Sequence, residues 1–369
     1  MKVKINVKKY FLNILIIFVK GEYMREDILK KINEARANGE ILYSFSRLES
    51  FNDCLYAYNV TYNQHNRGLD NIYALLGTSI HDGLEHYFNC GENELQERFD
   101  KGYENALKDG YDFPNDKIKE NYLYCINHYI KNFKSDGLNS LQEFPFMIEL
   151  NGIKIIGFID RITKDPNSND NTLRIIDFKT STNYSAKDKK IKGRQLVLYA
   201  YAVEQLTGKK VTSVCWNMLK YVNVKYKKKT RKTKKIFLRN EYILFWKDEI
   251  LQSLQDKGYE FEDAIDIFME HLQKNEMPNE VLEDFEFGDA YVEYEYNEET
   301  KQELLDYIEK TVDKINKTKE WKAKNISNGD FKCLNLCNHR ETCPALKSYI
   351  QKLPETMVEE TGINFDELF

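Results

Sequence analysis

The spacing of apolar residues changes several times along this chain. From Met24 to about Gly39, in a stretch rich in Ala, Glu and Lys, the pattern is helical. A second helix is predicted to begin near Ser44 or Ser46, where a hydroxyl can cap it, and it carries Leu48, Phe51, Leu55 and Tyr58 at helical spacing. Further helical patterns cover roughly 72–90, 92–108 and 117–134. The period then drops to two, or to unbroken apolar runs, at 143–150, 154–162 and 172–178, which predicts three strands. Asn151-Gly152 between the first two is a hairpin signal, because both residues tolerate positive φ. The polar run 166–171 predicts the loop joining the next pair.

A helix is expected at about 190–207, then a strand at 211–222 and a short strand at 235–239. Residues 240–318 read as mostly helical and acidic and lead into a cysteine-rich segment. No internal repeat is present. The order of helices, three strands, helix and strand predicts an α/β fold: a mixed sheet core flanked by helices, with helical elaborations.

Length changes this picture little: 369 residues suffice for one large domain or two ordinary ones. Hydrophobic residues make up 42% of the chain, enough for a substantial core. The net charge of −5 excludes a polycation, so any nucleic-acid contact must use local basic patches. One such patch is Lys225–Lys235, with eight basic residues in eleven, including Lys227, Lys228, Lys229 and Arg231. It reads either as a solvated loop or as an arm gripping phosphates, with Tyr226 available to stack on a base.

The N-terminus carries Lys2, Lys4, Lys8 and Lys9 before an apolar run at 10–19, too short for a comfortable membrane span and without a small-residue cleavage site. Lys20-Gly21-Glu22-Tyr23-Met24 back-translates to a purine-rich ribosome-binding sequence before an ATG. Met24 is therefore the expected start, with 1–23 a mis-annotated extension. The expected organisation beyond it is one main domain with helical insertions at 24–323, a cysteine segment at 324–350 packed on it and a tail at 351–369.

Candidate chemistry gathers at two strand ends. Gly157-Phe158-Ile159-Asp160 closes one apolar run, and Ile175-Ile176-Asp177-Phe178-Lys179 closes the next. Asp177 and Lys179 are two apart, so along a strand they share one face, and Asp160 lies beside Asp177 if the strands pair. Two acids so placed repel unless a cation sits between them. The plainer reading is a surface Asp and Lys on a strand edge. The apolar triplets before both acids place them instead where a buried strand emerges.

These residues resemble the core motif of the PD-(D/E)XK nucleases, in the RecB-like branch that includes AddB-type subunits and CRISPR-associated iron–sulfur nucleases. Leu76-Gly77-Thr78-Ser79-Ile80-His81 resembles that branch's upstream helix motif, and Gln195-Leu196-Val197-Leu198-Tyr199 resembles its downstream Gln-x-x-x-Tyr helix. The resemblance covers about 44–205 and 325–346. It implies metal-dependent DNA hydrolysis in which His81, Asp160, Asp177 and the Phe178 carbonyl hold Mg²⁺ or Mn²⁺. Lys179 would orient water and stabilise developing charge, and Gln195 and Tyr199 would steady Lys179 or contact DNA. Glu85 reads as a partner of His81 or as a solvated helix residue. The second function class is a non-catalytic DNA-binding accessory protein of recombination or repair on an old nuclease fold. No Gly-x-x-x-x-Gly-Lys-Ser/Thr loop is present, so any helicase or recombination partner would act in trans.

Seven cysteines, three of them close together near the C-terminus, read as metal or cluster ligation in a reducing cytoplasm rather than as a disulfide scaffold. Cys333, Cys337 and Cys343 are similar to the trio of the iron–sulfur members, which implies a [4Fe–4S] cluster with Cys54 as fourth ligand. The first gap is three residues where the branch usually has two, and Leu55 stands where Pro commonly follows the first cysteine. A local Zn²⁺ site of Cys333, Cys337, His339 and Cys343 is the alternative, cramped by the short Cys337–His339 spacing. Cys90, Cys125 and Cys215 read as core residues.

Overall fold

The computed structural model describes residues 23–168, 171–228, 236–326 and 330–352. Helix α1 (23–37) lays Ile28, Ile32 and Ala35 on the core. Strand β1 (Leu42–Tyr43) follows, and Ser44 caps α2 (Phe45–Asp53) by accepting the Arg47 N–H at 3.1 Å. The expected second helix breaks at Cys54, which is extended, before a short α3 (Leu55–Tyr58) and a wide turn at Asn59–Asn63. Three amphipathic helices come next: α4 (Ile72–Cys90), α5 (Leu95–Lys108) and α6 (Asp116–Lys131).

Strands β2 (Ser140–Leu150) and β3 (Ile153–Lys164) form the predicted hairpin. Asn151 and Gly152 have φ of +49° and +80°, as a type I′ turn requires, and Leu150 pairs with Ile153. β4 (Leu173–Lys179) runs antiparallel to β3, and α7 (Ala186–Thr207) carries the chain over to β5 (Val211–Tyr226), parallel to β4. β6 (Ile236–Leu238) pairs with β5. Helices α8 (Tyr242–Phe245), α9 (Lys247–Asp256) and α10 (Phe261–Lys274) form a lobe around Trp246, Ile250 and Phe268. The chain then returns through β7 (Phe285–Tyr294), α11 (Glu298–Lys317) and α12 (Pro344–Ile350).

The seven strands make one mixed sheet. Successive residues of β4 serve its two faces: Ile175 joins Leu196, Ala200 and Val203 of α7, while Ile176 and Phe178 join Leu76, Ile80 and Leu84 of α4. The predicted α/β architecture is thus present. β1 and β7 were not expected. β7 lies in the stretch read as helical, and only Phe285, Ala290 and Val292 of it are buried. Its pairing with β5 shifts register between Asn217 and Val222, so its sequence does not alternate cleanly.

Candidate active site

β2 runs along one edge of β3 from Ile153 to Thr163, so β1 and β4 share the other. β1 takes Lys154 and Ile155, and β4 takes Arg161 to Lys164, which leaves 156–160 without a backbone partner on that edge. Asp160 lies at the end of this gap. Its carboxylate accepts the Phe178 N–H at 2.7 Å, so a side chain replaces the missing ladder bond. Burial raises the Asp160 carboxyl, against the charge of Lys179 and the Phe178 N–H.

Asp177 is 1% exposed, deeper than a residue at an emerging strand end. Burial, offset by Lys179 and reinforced by Asp160, pushes its carboxyl up to about 6. Lys179 Nζ lies 2.6 Å from the Asp177 carboxylate. Burial disfavours this ammonium, yet Asp177 and Asp160 outweigh it and hold Lys179 protonated well above its usual value. From α4, His81 Nδ1 approaches Asp160 Oδ2 at 3.6 Å, and its ring meets Phe178 edge-on. Burial, then Lys179, lowers His81 to about 4, so the imidazole is neutral and free to donate a lone pair. On α7, Gln195 Nε2 donates to the Tyr199 hydroxyl at 2.7 Å. The Tyr199 phenol feels the charges of Asp177, Asp160 and Lys179, as does the Tyr184 phenol those of Lys179 and Asp177.

One residue escaped the sequence reading. Glu143 sits in β2 between Gln142, opposite Arg161, and Phe144, opposite Ile159, which puts it across from Asp160. Its φ is +43°, in the left-handed region. Donor atoms of His81, Glu143 and Asp160 all lie within 4.8 Å of one another. Burial, then Asp160 and Glu85, raises the Glu143 carboxyl to about 7. Glu85 stands outside this trio.

A family description, the PD-(D/E)XK nuclease superfamily, matches residues 43–344, most of the chain. The chain belongs to that superfamily. Comparison with curated proteins finds no match. Among solved structures, one described as "Putative exonuclease" from Eubacterium rectale is 14% identical with a TM-score of 0.37, over 88% of this chain and 91% of that one.

Elsewhere in this PD-(D/E)XK chain, the C-terminal segment docks on the N-terminal helices. Asn71 Nδ2 donates to the Leu336 carbonyl at 3.2 Å, the Leu69 N–H to the Asn338 carbonyl at 2.8 Å, and the Tyr56 hydroxyl to the Thr342 carbonyl at 3.0 Å. Cys54, Cys333, Cys337 and Cys343 all line one cavity of about 320 Å³ at this junction. Burial raises the Cys337 thiol, with Cys343 and Cys54 near enough to add to the effect. His339 is buried, and its Nε2 lies 2.7 Å from Thr61 Oγ1. Cys125 and Cys215 are buried as expected, whereas Cys90 is exposed at the end of α4, where Gly91 terminates the helix.

Of the basic run, Lys229 and Arg231 lie outside the described residues. Lys227 donates to the Glu283 carbonyl at 2.7 Å, and Lys228 pairs with Asp284 at 3.1 Å. Tyr226 is buried against Phe285, so it is not available for stacking on a base. No helix among the described residues is long and apolar enough to cross a membrane.

Proposed function

We propose that this chain is a metal-dependent DNA exonuclease or end-processing nuclease of the RecB-like branch. The observation that carries the reading is the meeting of His81, Asp160, Asp177 and Lys179, from three separate elements, at the unpaired stretch of β3. A neutral imidazole beside buried carboxylates is a donor set that suits Mn²⁺ or Mg²⁺. His81, Asp160, Asp177 and the Phe178 carbonyl would hold the ion. When bound, a divalent cation supplies Lewis acidity and a water of lowered pKa.

The chain's own groups have separate tasks. Lys179, held as an ammonium, places positive charge where a phosphate gains negative charge. Being protonated, it cannot take the proton of the attacking water, so its role is orientation and electrostatics. Gln195 fixes the direction of the Tyr199 hydroxyl beside it. The basic run at 225–235 would add sequence-independent grip on the DNA backbone. Any helicase or recombination partner would be supplied in trans.

The same proposal includes a [4Fe–4S] cluster on Cys54, Cys333, Cys337 and Cys343, in a cytoplasmic protein. All four cysteines line the same cavity of about 320 Å³, which supports a site shared by four thiols. The rival Zn²⁺ site would use His339 through Nδ1, since its Nε2 is engaged by Thr61, and it would leave Cys54 without a role. Digestion of end-labelled single- and double-stranded DNA with Mg²⁺ or Mn²⁺ tests the activity. Metal-dependent release of nucleotides supports the nuclease; DNA binding without cleavage would favour a non-catalytic accessory protein.

A further inference from the structure

Glu143 is placed by two features of the chain. The Asn151-Gly152 turn sets the β2–β3 register that puts it opposite Asp160. The core-facing side of the ladder switches at the same point. Phe144 and Ile159 face the core on one side of it, while Leu141 and Ile162, three residues further, pack there on the other. Regular alternation forbids that spacing, and the φ of +43° at Glu143 marks where it is broken. Among the described residues, no Lys or Arg lies within ion-pair distance of Glu143, and Arg25, the nearest cationic influence, donates instead to the Gln142 carbonyl at 2.9 Å. Its closest ligand-type neighbours are the His81 imidazole and a second carboxylate, that of Asp160, all three donor atoms within 4.8 Å.

We infer that Glu143 is a further direct ligand of the divalent cation, adding a carboxylate from β2 to the donors of α4, β3 and β4. The inference deepens the nuclease reading and rests on it for the identity of the site. Asp177, itself one of the residues that would hold the ion, is paired with Lys179 and so links the ion to the lysine. A mixed site of one imidazole nitrogen among carboxylates favours Mn²⁺ over the harder Ca²⁺ and Mg²⁺.

The test is Mn²⁺ binding to the full chain, followed by calorimetry and by loss of the free-ion paramagnetic signal, without DNA present. Glu143→Gln removes the charged donor but keeps the shape, and should weaken Mn²⁺ binding about tenfold or more. Asp82→Asn removes an exposed charge that reaches both His81 and Glu143 without belonging to the trio, and should change affinity less than about twofold. Thermal melts in chelator check that both variants fold; should Glu143→Gln fail, Glu143→Asp, which shortens the reach by one carbon, should also weaken binding. Wild-type Mn²⁺ affinity in a folded Glu143 variant would overturn the inference, as would an equal loss in Asp82→Asn. Wild-type protein that binds Mn²⁺ through Glu143 but leaves DNA intact would refute the nuclease and leave the ligand assignment standing. Cleavage with unaltered Mn²⁺ binding in Glu143→Gln would do the reverse.

Discussion

Asp160 accepts the Phe178 N–H at 2.7 Å, and so one carboxylate both closes a gap in the sheet and belongs to the candidate site. The gap exists because β1 and β4 divide one edge of β3 between them without meeting. Structure and chemistry are therefore coupled at Asp160 in a way they are not at Lys179.

That coupling separates two variants. Asp160→Ala should abolish cleavage and also strand the Phe178 N–H, costing about 1–3 kcal/mol of stability. Lys179→Gln should lower the cleavage rate by roughly a hundredfold or more with a much smaller change in melting temperature. Asp177 loses its partner there, but its carboxyl is already pushed up to about 6 and can shed its charge. Single-turnover cleavage and thermal melts decide; near-native cleavage by Lys179→Gln would remove it from the site.

Much of this site was readable from the sequence, and the exception is instructive. Asp160, Asp177 and Lys179 were visible because apolar runs led straight into them. His81 was visible only through its place in a helix upstream of those strands. Glu143 was recoverable in principle, since the Asn151-Gly152 turn fixes which residue opposes Asp160. It went unread because a Glu at the head of an alternating strand resembles any solvated strand residue. In the fold, β7 was lost for a related reason, as its register shift spaces its buried residues irregularly. The pairing of Lys227 and Lys228 with the 283–284 turn depends on long-range contacts that no local pattern encodes.

Mn²⁺ should support cleavage at least as well as Mg²⁺, because an imidazole ligand suits the softer ion. His81→Asp replaces nitrogen by oxygen and should narrow the difference between the two metals. Rates measured across a range of each ion check this, and an unchanged Mn²⁺-to-Mg²⁺ ratio would exclude His81 as a ligand.

His128 gives a pH dependence away from the candidate site. Its Nδ1 lies 3.2 Å from Arg239 Nη1, and burial, then the Arg239 charge, lowers its pKa to about 4. The unfolded chain binds this proton near 6.5. The stabilising effect is thus complete above that value and is lost as pH falls through about 4. His128→Gln keeps an acceptor for Arg239 but does not titrate. Wild type should lose on the order of 2 kcal/mol relative to this variant between pH 7 and pH 4. Parallel denaturant curves that do not diverge in that window would contradict it.

Replacing Lys227, Lys228, Lys229 and Arg231 by Gln should weaken DNA binding whatever the sequence and flatten its salt dependence, because fewer counterions are displaced. The effect of Lys228 alone should be small, since Asp284 already neutralises it. An unaltered slope of log affinity against log salt for the fourfold variant would reduce the run to a solvated loop.

The cysteine cavity makes the sharpest prediction. If Cys54, Cys333, Cys337 and Cys343 share one [4Fe–4S] cluster, anaerobically purified protein should be brown, with broad absorbance near about 400 nm. Zinc would leave it colourless. Most of the chain lies between Cys54 and Cys333, so joining them removes much unfolded-state entropy. The cluster would reinforce a junction already held by Asn71, Leu69 and Tyr56 through their bonds to the C-terminal segment. Cys54→Ala should therefore bleach the protein and lower its melting temperature, with activity falling as structure is lost. Those residual contacts should keep the segment docked at low temperature, so some cleavage survives in the cold. Cys90→Ala, Cys125→Ala and Cys215→Ala should keep the colour, because none of the three lines the cavity. His339→Ala separates the rival ligand sets in the same experiment. It should cost stability by freeing Thr61 yet leave the iron content unchanged. A brown and stable Cys54→Ala protein would place the fourth ligand elsewhere and end the clasp.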